Sequence, residues 1–285
     1  MIDLIPSLSW ANKIAKCDLT DSVFFNSVNS SDLIIVSGDS WTWGDSLDPS
    51  IRTNQMYGTL LGKELDCDLL NIGFRGWSNS WILNFTGYLL QNQQHNFEKY
   101  KNITLVVTLT ENARDVKAPH SFSYNYLETH KNIGTTLEFY NQILNDIEQN
   151  WVKLLDQIHS YGLISKTIIA SNFVWHNNFF KSIENKYQIP QLNWVESIAN
   201  YANYKMPVRT NMVTGWIFDE FATVNDICGI KKLDTYKQFV LPYIEKANKV
   251  NKWLDASDYN GKEASKHPNY LGHKIWATYL LNCME

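Results

Sequence analysis

No apolar run in the 285-residue sequence approaches the roughly 18 residues that a membrane-crossing helix needs. The opening Met1-Ile2-Asp3-Leu4-Ile5-Pro6 carries an acid where a secretory leader carries basic residues. A soluble, unprocessed, cytoplasmic chain without a membrane partner is the expectation. No block of Lys and Arg is longer than a pair, and the formal net charge is −4 with a pI near 6.0. The electrostatic footprint of a nucleic-acid binder is therefore missing. The four cysteines, Cys17, Cys67, Cys228 and Cys283, show no Cys-x-x-Cys spacing. This gives no support to a zinc ribbon or a dithiol site and points to a reduced compartment, with no metal and no cofactor expected. No repeat, low-complexity tract or linker divides the chain, and its length suits one large domain.

What the sequence does hold is aromatic side chains and short apolar runs. The 11 Trp, 15 Tyr and 13 Phe suit a surface that stacks sugar rings, or, the favoured reading, a core built from large rings. Leu33–Val36, Asp68–Gly73, Ile103–Leu109 and Thr167–Ser171 read as buried strands, and Ile189-Pro190-Gln191-Leu192 as a short fifth. Helical spacing joins Tyr57, Leu60, Leu61 and Leu65, then Ile82, Phe85, Leu89 and Leu90. A long helix follows from Tyr140 through Trp151 to Ile158, ending near Gly162. Residues 1–30 read as a short helix and an irregular lead-in, and about 175–250 as an insertion or loop set framing a pocket. Strands alternating with helices predict an α/β fold: a three-layer, doubly wound parallel sheet with helices on both faces.

Chemistry belongs where these strands end. Gly38-Asp39-Ser40 follows the first strand, and its glycine permits a tight turn that places Ser40 just past the sheet edge with its hydroxyl toward solvent. The second strand runs into Asn71-Ile72-Gly73-Phe74-Arg75-Gly76, and the third into Thr110-Glu111-Asn112-Ala113-Arg114-Asp115. Near the C-terminus stands His267-Pro268-Asn269-Tyr270, ahead of Ile275 and Trp276. His176, beside aromatics past the fourth strand, reads as a packing residue, and His273 as a structural residue of the last helix.

These four blocks, in this order, resemble those of the SGNH (GDSL-type) hydrolases. The variety Gly-Asp-Ser-aromatic-Thr-aromatic-Gly with Thr-Glu-x-x-Arg is similar to SGNH-like proteins common in bacteriophage genomes, which would allow a virion-associated location. The resemblance covers residues 31–115 and 250–285 and implies a flavodoxin-like SGNH hydrolase fold. It also implies a serine esterase or deacylase acting on a small-molecule or carbohydrate ester, such as an O-acetyl group. Ser40 would attack, His267 would take its proton, and the Ser40 and Gly76 amides with the Asn112 side chain would hold the oxyanion. Asn79 competes with Asn112 as the side-chain donor, because Thr110 and Ala113 replace the Gly and second Asp of the family's third block. Arg114 could grip a substrate carboxylate or phosphate, or pair with Asp115 or Glu111. The family's acid three residues before the histidine is here Ala264, so Glu263, Asp258, Asp255 or a main-chain carbonyl would orient His267, or the pair would act as a dyad. An O-acyltransferase with the same residues and a non-catalytic binding protein are the rival readings. The oligomeric state is not legible.

Overall fold

Leu33–Val36 and Ile103–Leu109 are rich in β-branched and leucine residues with no polar alternation, so both faces of the strands they form have to be covered. The computed structural model describes residues 23–45, 47–110, 115, 137–172, 176–201, 268 and 270–285. In chain order these form β1 (Phe24–Asn26), β2 (Asp32–Gly38), α1 (Ser40–Trp43), α2 (Arg52–Gln55), α3 (Tyr57–Glu64), β3 (Asp68–Asn71), α4 (Asn79–Asn92), α5 (Gln94–Phe97), β4 (Asn102–Leu109), α6 (Leu137–Ser160), β5 (Lys166–Ser171), α7 (Asn177–Ile183), α8 (Trp194–Tyr201) and α9 (Tyr270–Met284). The sheet order is β1-β3-β2-β4-β5. The β2, β3, β4 and β5 strands are parallel, with Gly38 opposite Thr108 and Leu109 opposite Ser171 at their carboxyl ends. After β3 the chain crosses back over β2 to form β4. The crevice between the ends of β2 and β4 is thus the switch point at which α/β proteins of flavodoxin-like order hold ligands.

Two features differ from the sequence expectation. The sheet is mixed, because Phe24–Asn26 pairs antiparallel with β3, with Phe25 opposite Leu70. Asp68 secures this edge by accepting hydrogen bonds from Ser27, Val28, Ser30 and Tyr100. The segment 189–192 is no strand: only Gln188 bridges, to Ile168. Pro190 lacks the N–H that a further rung would need.

Alternate residues of each strand feed two cores. Leu33, Ile35, Leu105 and Val107 meet α4, α6 and α7 on one face through Phe85, Trp151 and Phe179. Ile34, Val36, Val106 and Ile168 meet α3, α8 and α9 on the other, through Tyr57, Trp194 and Trp276. The result is an α/β three-layer architecture with helices on both faces, in which most aromatic side chains among the described residues are core. Among the described residues no helix is long and apolar enough to cross a membrane.

Candidate active site

The turn after β2 is shaped by its neighbours. A Cβ on Gly38 would fall 2.0 Å from Thr42 Oγ1 and 3.0 Å from the Thr108 carbonyl oxygen, so no side chain fits there. Asp39 caps α1, its Oδ1 accepting the Trp41 N–H at 3.0 Å. Gly44 closes the far end at φ 74°, a left-handed conformation that favours glycine. One turn of Ser-Trp-Thr-Trp has no helical stability of its own. Packing holds it instead: the Trp41 ring meets Trp194 edge-on at 5.5 Å, and the Arg52 guanidinium lies 5.3 Å from the centre of the Trp43 ring. Ser40, the first helical residue, is 4% exposed. It does not project into bulk solvent as expected, because α1 lies within the crevice with all four residues buried.

The loop after β3 is stitched to this turn. Phe74 N–H donates to the Gly38 carbonyl at 3.0 Å. Asn71 accepts the Gly73 N–H at 2.8 Å and donates to the Thr42 carbonyl at 3.1 Å. Gly73 lies so close that a Cβ there would fall 2.8 Å from the Trp43 nitrogen. Gly76 has φ 73° and open space where a Cβ would stand, so its amide is carried on an uncrowded loop. Beside it, Arg75 forms an ion pair with Asp45, linking the two loops again.

The third segment is anchored at both flanks. Thr110 donates its N–H to Asn79 Oδ1 at 2.8 Å, and its carbonyl accepts from Asn79 Nδ2 at 3.0 Å and from His176 Nε2 at 2.8 Å. Asn79 therefore gives its amide oxygen and one of its two amide hydrogens to the Thr110 main chain. His176 is fully buried, edge-on to Trp151 at 5.1 Å, and burial draws it down to about 4. It is a neutral packing residue with its proton on Nε2, since a carbonyl can only accept. Asp115 accepts the Ser80 N–H at 2.9 Å at the start of α4. Burial pushes its carboxyl up to about 6, against hydrogen bonds from Ser80, Ser78 and Asn79 that favour the ionised form. Asn112 and Arg114 lie outside the described residues.

The last helix has a defined direction. Near its start, His273 Nδ1 accepts the Tyr57 N–H at 3.1 Å, and Trp194 Nε1 donates to the Gly272 carbonyl at 3.0 Å. At its end, Lys166 Nζ donates to the Met284 carbonyl at 2.6 Å, and Gln188 to that of Cys283. Tyr57 opens the helix that returns from the carboxyl edge, whereas Lys166 begins β5 at the amino edge. Hence α9 starts at the edge that carries Ser40, just after the buried Pro268. His273 is structural: its ring stacks on Tyr57 with centres 6.3 Å apart and meets Trp194 edge-on at 5.1 Å. His267, Glu263, Asp258, Asp255 and Ala264 lie outside the described residues.

No family model and no curated protein matches the chain. Among solved structures it is similar to a protein described as lipolytic and of the G-D-S-L family from Desulfitobacterium hafniense, at 11% identity and TM-score 0.39, over 88% of this chain and 98% of that one. It is also similar to a family two carbohydrate esterase from Clostridium thermocellum in complex with cellohexaose, at 11% identity and TM-score 0.37, over 90% of this chain and 64% of that one. A third is TesA, at 13% identity and TM-score 0.39, over 89% and 98% of the two chains. Likeness this distant assigns no activity, which has to come from the residues.

Nothing periodic or motif-like marks one further residue of the edge. Asn172 follows β5, is fully buried, and donates from Nδ2 to Asp39 Oδ1 at 3.0 Å. Its only signal in the sequence is a polar side chain where an apolar strand reaches the crevice. Beneath α1, Tyr57 Oη lies 3.0 Å from Thr108 Oγ1, and burial pushes the phenol up to about 12, so it stays neutral.

Proposed function

We propose that the chain is a serine esterase or deacylase of the SGNH type, with Ser40 as nucleophile and His267 as general base. The ester of a small molecule or carbohydrate, such as an O-acetyl sugar, is its substrate class. Ser40 Oγ attacks the carbonyl carbon while His267 takes the hydroxyl proton. The negative charge on the carbonyl oxygen is met by the Ser40 and Gly76 main-chain N–H groups and the Asn112 side chain. The alcohol leaves with the proton from His267, and water, deprotonated by the same ring, releases the acid and frees Ser40.

The observation that carries this reading is the direction of α9. Its first turn is tied to Tyr57 and Trp194 at the carboxyl edge of the sheet, the edge at which Ser40 is held, and His267 is only three positions ahead of that turn in sequence. The stitching of the Gly73–Gly76 loop onto the Ser40 turn supports the paired amide donors. Asn112 is the side-chain donor in this reading, with Asn79, held by Thr110, as its competitor. Glu263, Asp258 or Asp255 orients His267, or Ser40 and His267 act as a dyad.

Hydrolysis of p-nitrophenyl acetate by the wild type beside Ser40→Ala tests the reading. The variant should lose at least about 10³-fold in kcat, and equal rates would overturn the assignment. Ala264→Asp should raise the rate if a dyad operates and leave it unchanged if one of the three carboxylates already serves.

A further inference from the structure

Asp39 and Asn172 are 133 positions apart, and both are fully buried. Asp39 Oδ1 receives two hydrogens, one from the Trp41 N–H at 3.0 Å and one from Asn172 Nδ2 at 3.0 Å. Resting on the serine-hydrolase reading, we infer that Asn172 is a positioning residue of the nucleophile turn: it holds the Asp39 carboxylate where it caps α1, and so fixes Ser40, the next residue.

The two partners are anchored in different parts of the fold. Asn172, the residue after the last β4–β5 pair, donates its main-chain N–H to the Leu109 carbonyl at 2.9 Å, so its backbone is held by the sheet. Asp39 belongs to the turn, its carbonyl accepting the Trp43 N–H at 3.1 Å. The side-chain bond is what ties the two together. The amide gives the buried Asp39 side chain a hydrogen-bond donor without adding charge. Alanine at 172 removes the hydrogen bond that ties the Asp39 carboxylate to the end of the sheet and loosens its hold on the helix start. Aspartate, nearly the same shape, sets two carboxyl groups about 3 Å apart, a pair that cannot both ionise and that holds one proton between them.

The titratable groups described at this edge do not confound such a test. Tyr57 and His176 stay neutral through the working range, with burial pushing the phenol up to about 12 and the imidazole down to about 4. His273 pairs with the Tyr57 N–H. Asp115, raised by burial to about 6, is bound to Ser80 and is the same in wild type and variants, so it cancels in their ratio.

The experiment measures kcat and KM for p-nitrophenyl acetate from pH 5.5 to 8.5 in wild type, Asn172→Ala and Asn172→Asp. Fluorophosphonate labelling of Ser40 is followed by intact mass, and each rate is scaled to the folded fraction. Asn172→Ala should lower kcat by about 10- to 100-fold with KM little changed and a ratio to wild type that is constant with pH. Asn172→Asp should be about 100-fold slower at pH 8 and recover at least about tenfold toward pH 5.5, as the carboxyl pair gains its shared proton. Labelling rates should move with kcat. A flat ratio for Asn172→Asp, or wild-type kcat in both variants, overturns the role of Asn172 and leaves the esterase reading standing. A wild type that neither turns over nor labels at Ser40 overturns both.

Discussion

Gly73→Ala should damage catalysis more than folding. The new Cβ would fall 2.8 Å from the Trp43 nitrogen and 2.9 Å from Thr42 Cβ, whereas ordinary contact begins near 3.4 Å, so the loop and the Ser40 turn must part by about 0.6 Å. The nearest atom is backbone of a tight turn, and the other two belong to the short, branched side chain of the buried Thr42, which has little room to yield. Overpacking of this kind costs about 1–3 kcal/mol, which for a chain of this size lowers the melting temperature by roughly 2–10 °C. The separation itself matters more, because a misplacement of about 1 Å at a reacting centre can cost about 10²-fold in rate. The expected loss in kcat/KM for p-nitrophenyl acetate is therefore about 10- to 100-fold, in protein that still melts cooperatively. Gly76→Ala is the control. At φ 73° with nothing within 4 Å it pays only backbone strain, on the order of 1–2 kcal/mol, and keeps its N–H. A Gly73→Ala variant with wild-type kcat/KM and melting temperature would refute the proposed coupling of the two loops.

Three further outcomes follow from buried groups. Burial raises the Glu148 carboxyl to about 7 from an ordinary 4.5, although it accepts a hydrogen bond from the Phe179 main chain. Between those values the folded protein keeps a proton that the unfolded chain releases, so stability is full below about pH 4.5 and falls by up to about 3 kcal/mol as pH rises through 7. Glu148→Gln should flatten this decline and raise the melting temperature at pH 8, with a steeper decline in the variant counting against the account. Trp194→Ala removes a fully buried ring that meets Trp41, Tyr57, His273 and Trp276, and should cost about 3–5 kcal/mol in urea unfolding. Trp194→Phe loses chiefly the bond to the Gly272 carbonyl and should cost only about 1 kcal/mol beyond the change in ring size, so equal losses in the two would contradict the packing role.

The parts of the fold that showed in the sequence are those written in local periodicity. The short apolar runs that became β2, β3, β4 and β5 needed burial on both faces. The 3.6-residue period around Trp151 could only be the helix now spanning Leu137–Ser160. β1 did not show, because three half-buried residues, Phe24-Phe25-Asn26, carry no period and depend on β3 for pairing. Ile189 and Leu192 misled because apolar residues near a proline can pack without joining a ladder. At the site, Gly38, Gly73 and Gly76 were legible as glycines that a turn requires. Asn79 stood out only as a candidate oxyanion donor, and the hydrogen bonds that Asn71, Asn79 and Asn172 make to segments distant in sequence were hidden. The burial of Ser40 was equally hidden, because neighbours such as Trp194 come from elsewhere in the chain.

The most direct test of the account is the intact mass of the protein after exposure to a fluorophosphonate, in wild type and His267→Ala. The account predicts a single adduct on Ser40 in the wild type, formed at least about 10²-fold more slowly when His267 is removed. No adduct on Ser40, or an adduct that forms at the same rate without His267, would contradict it.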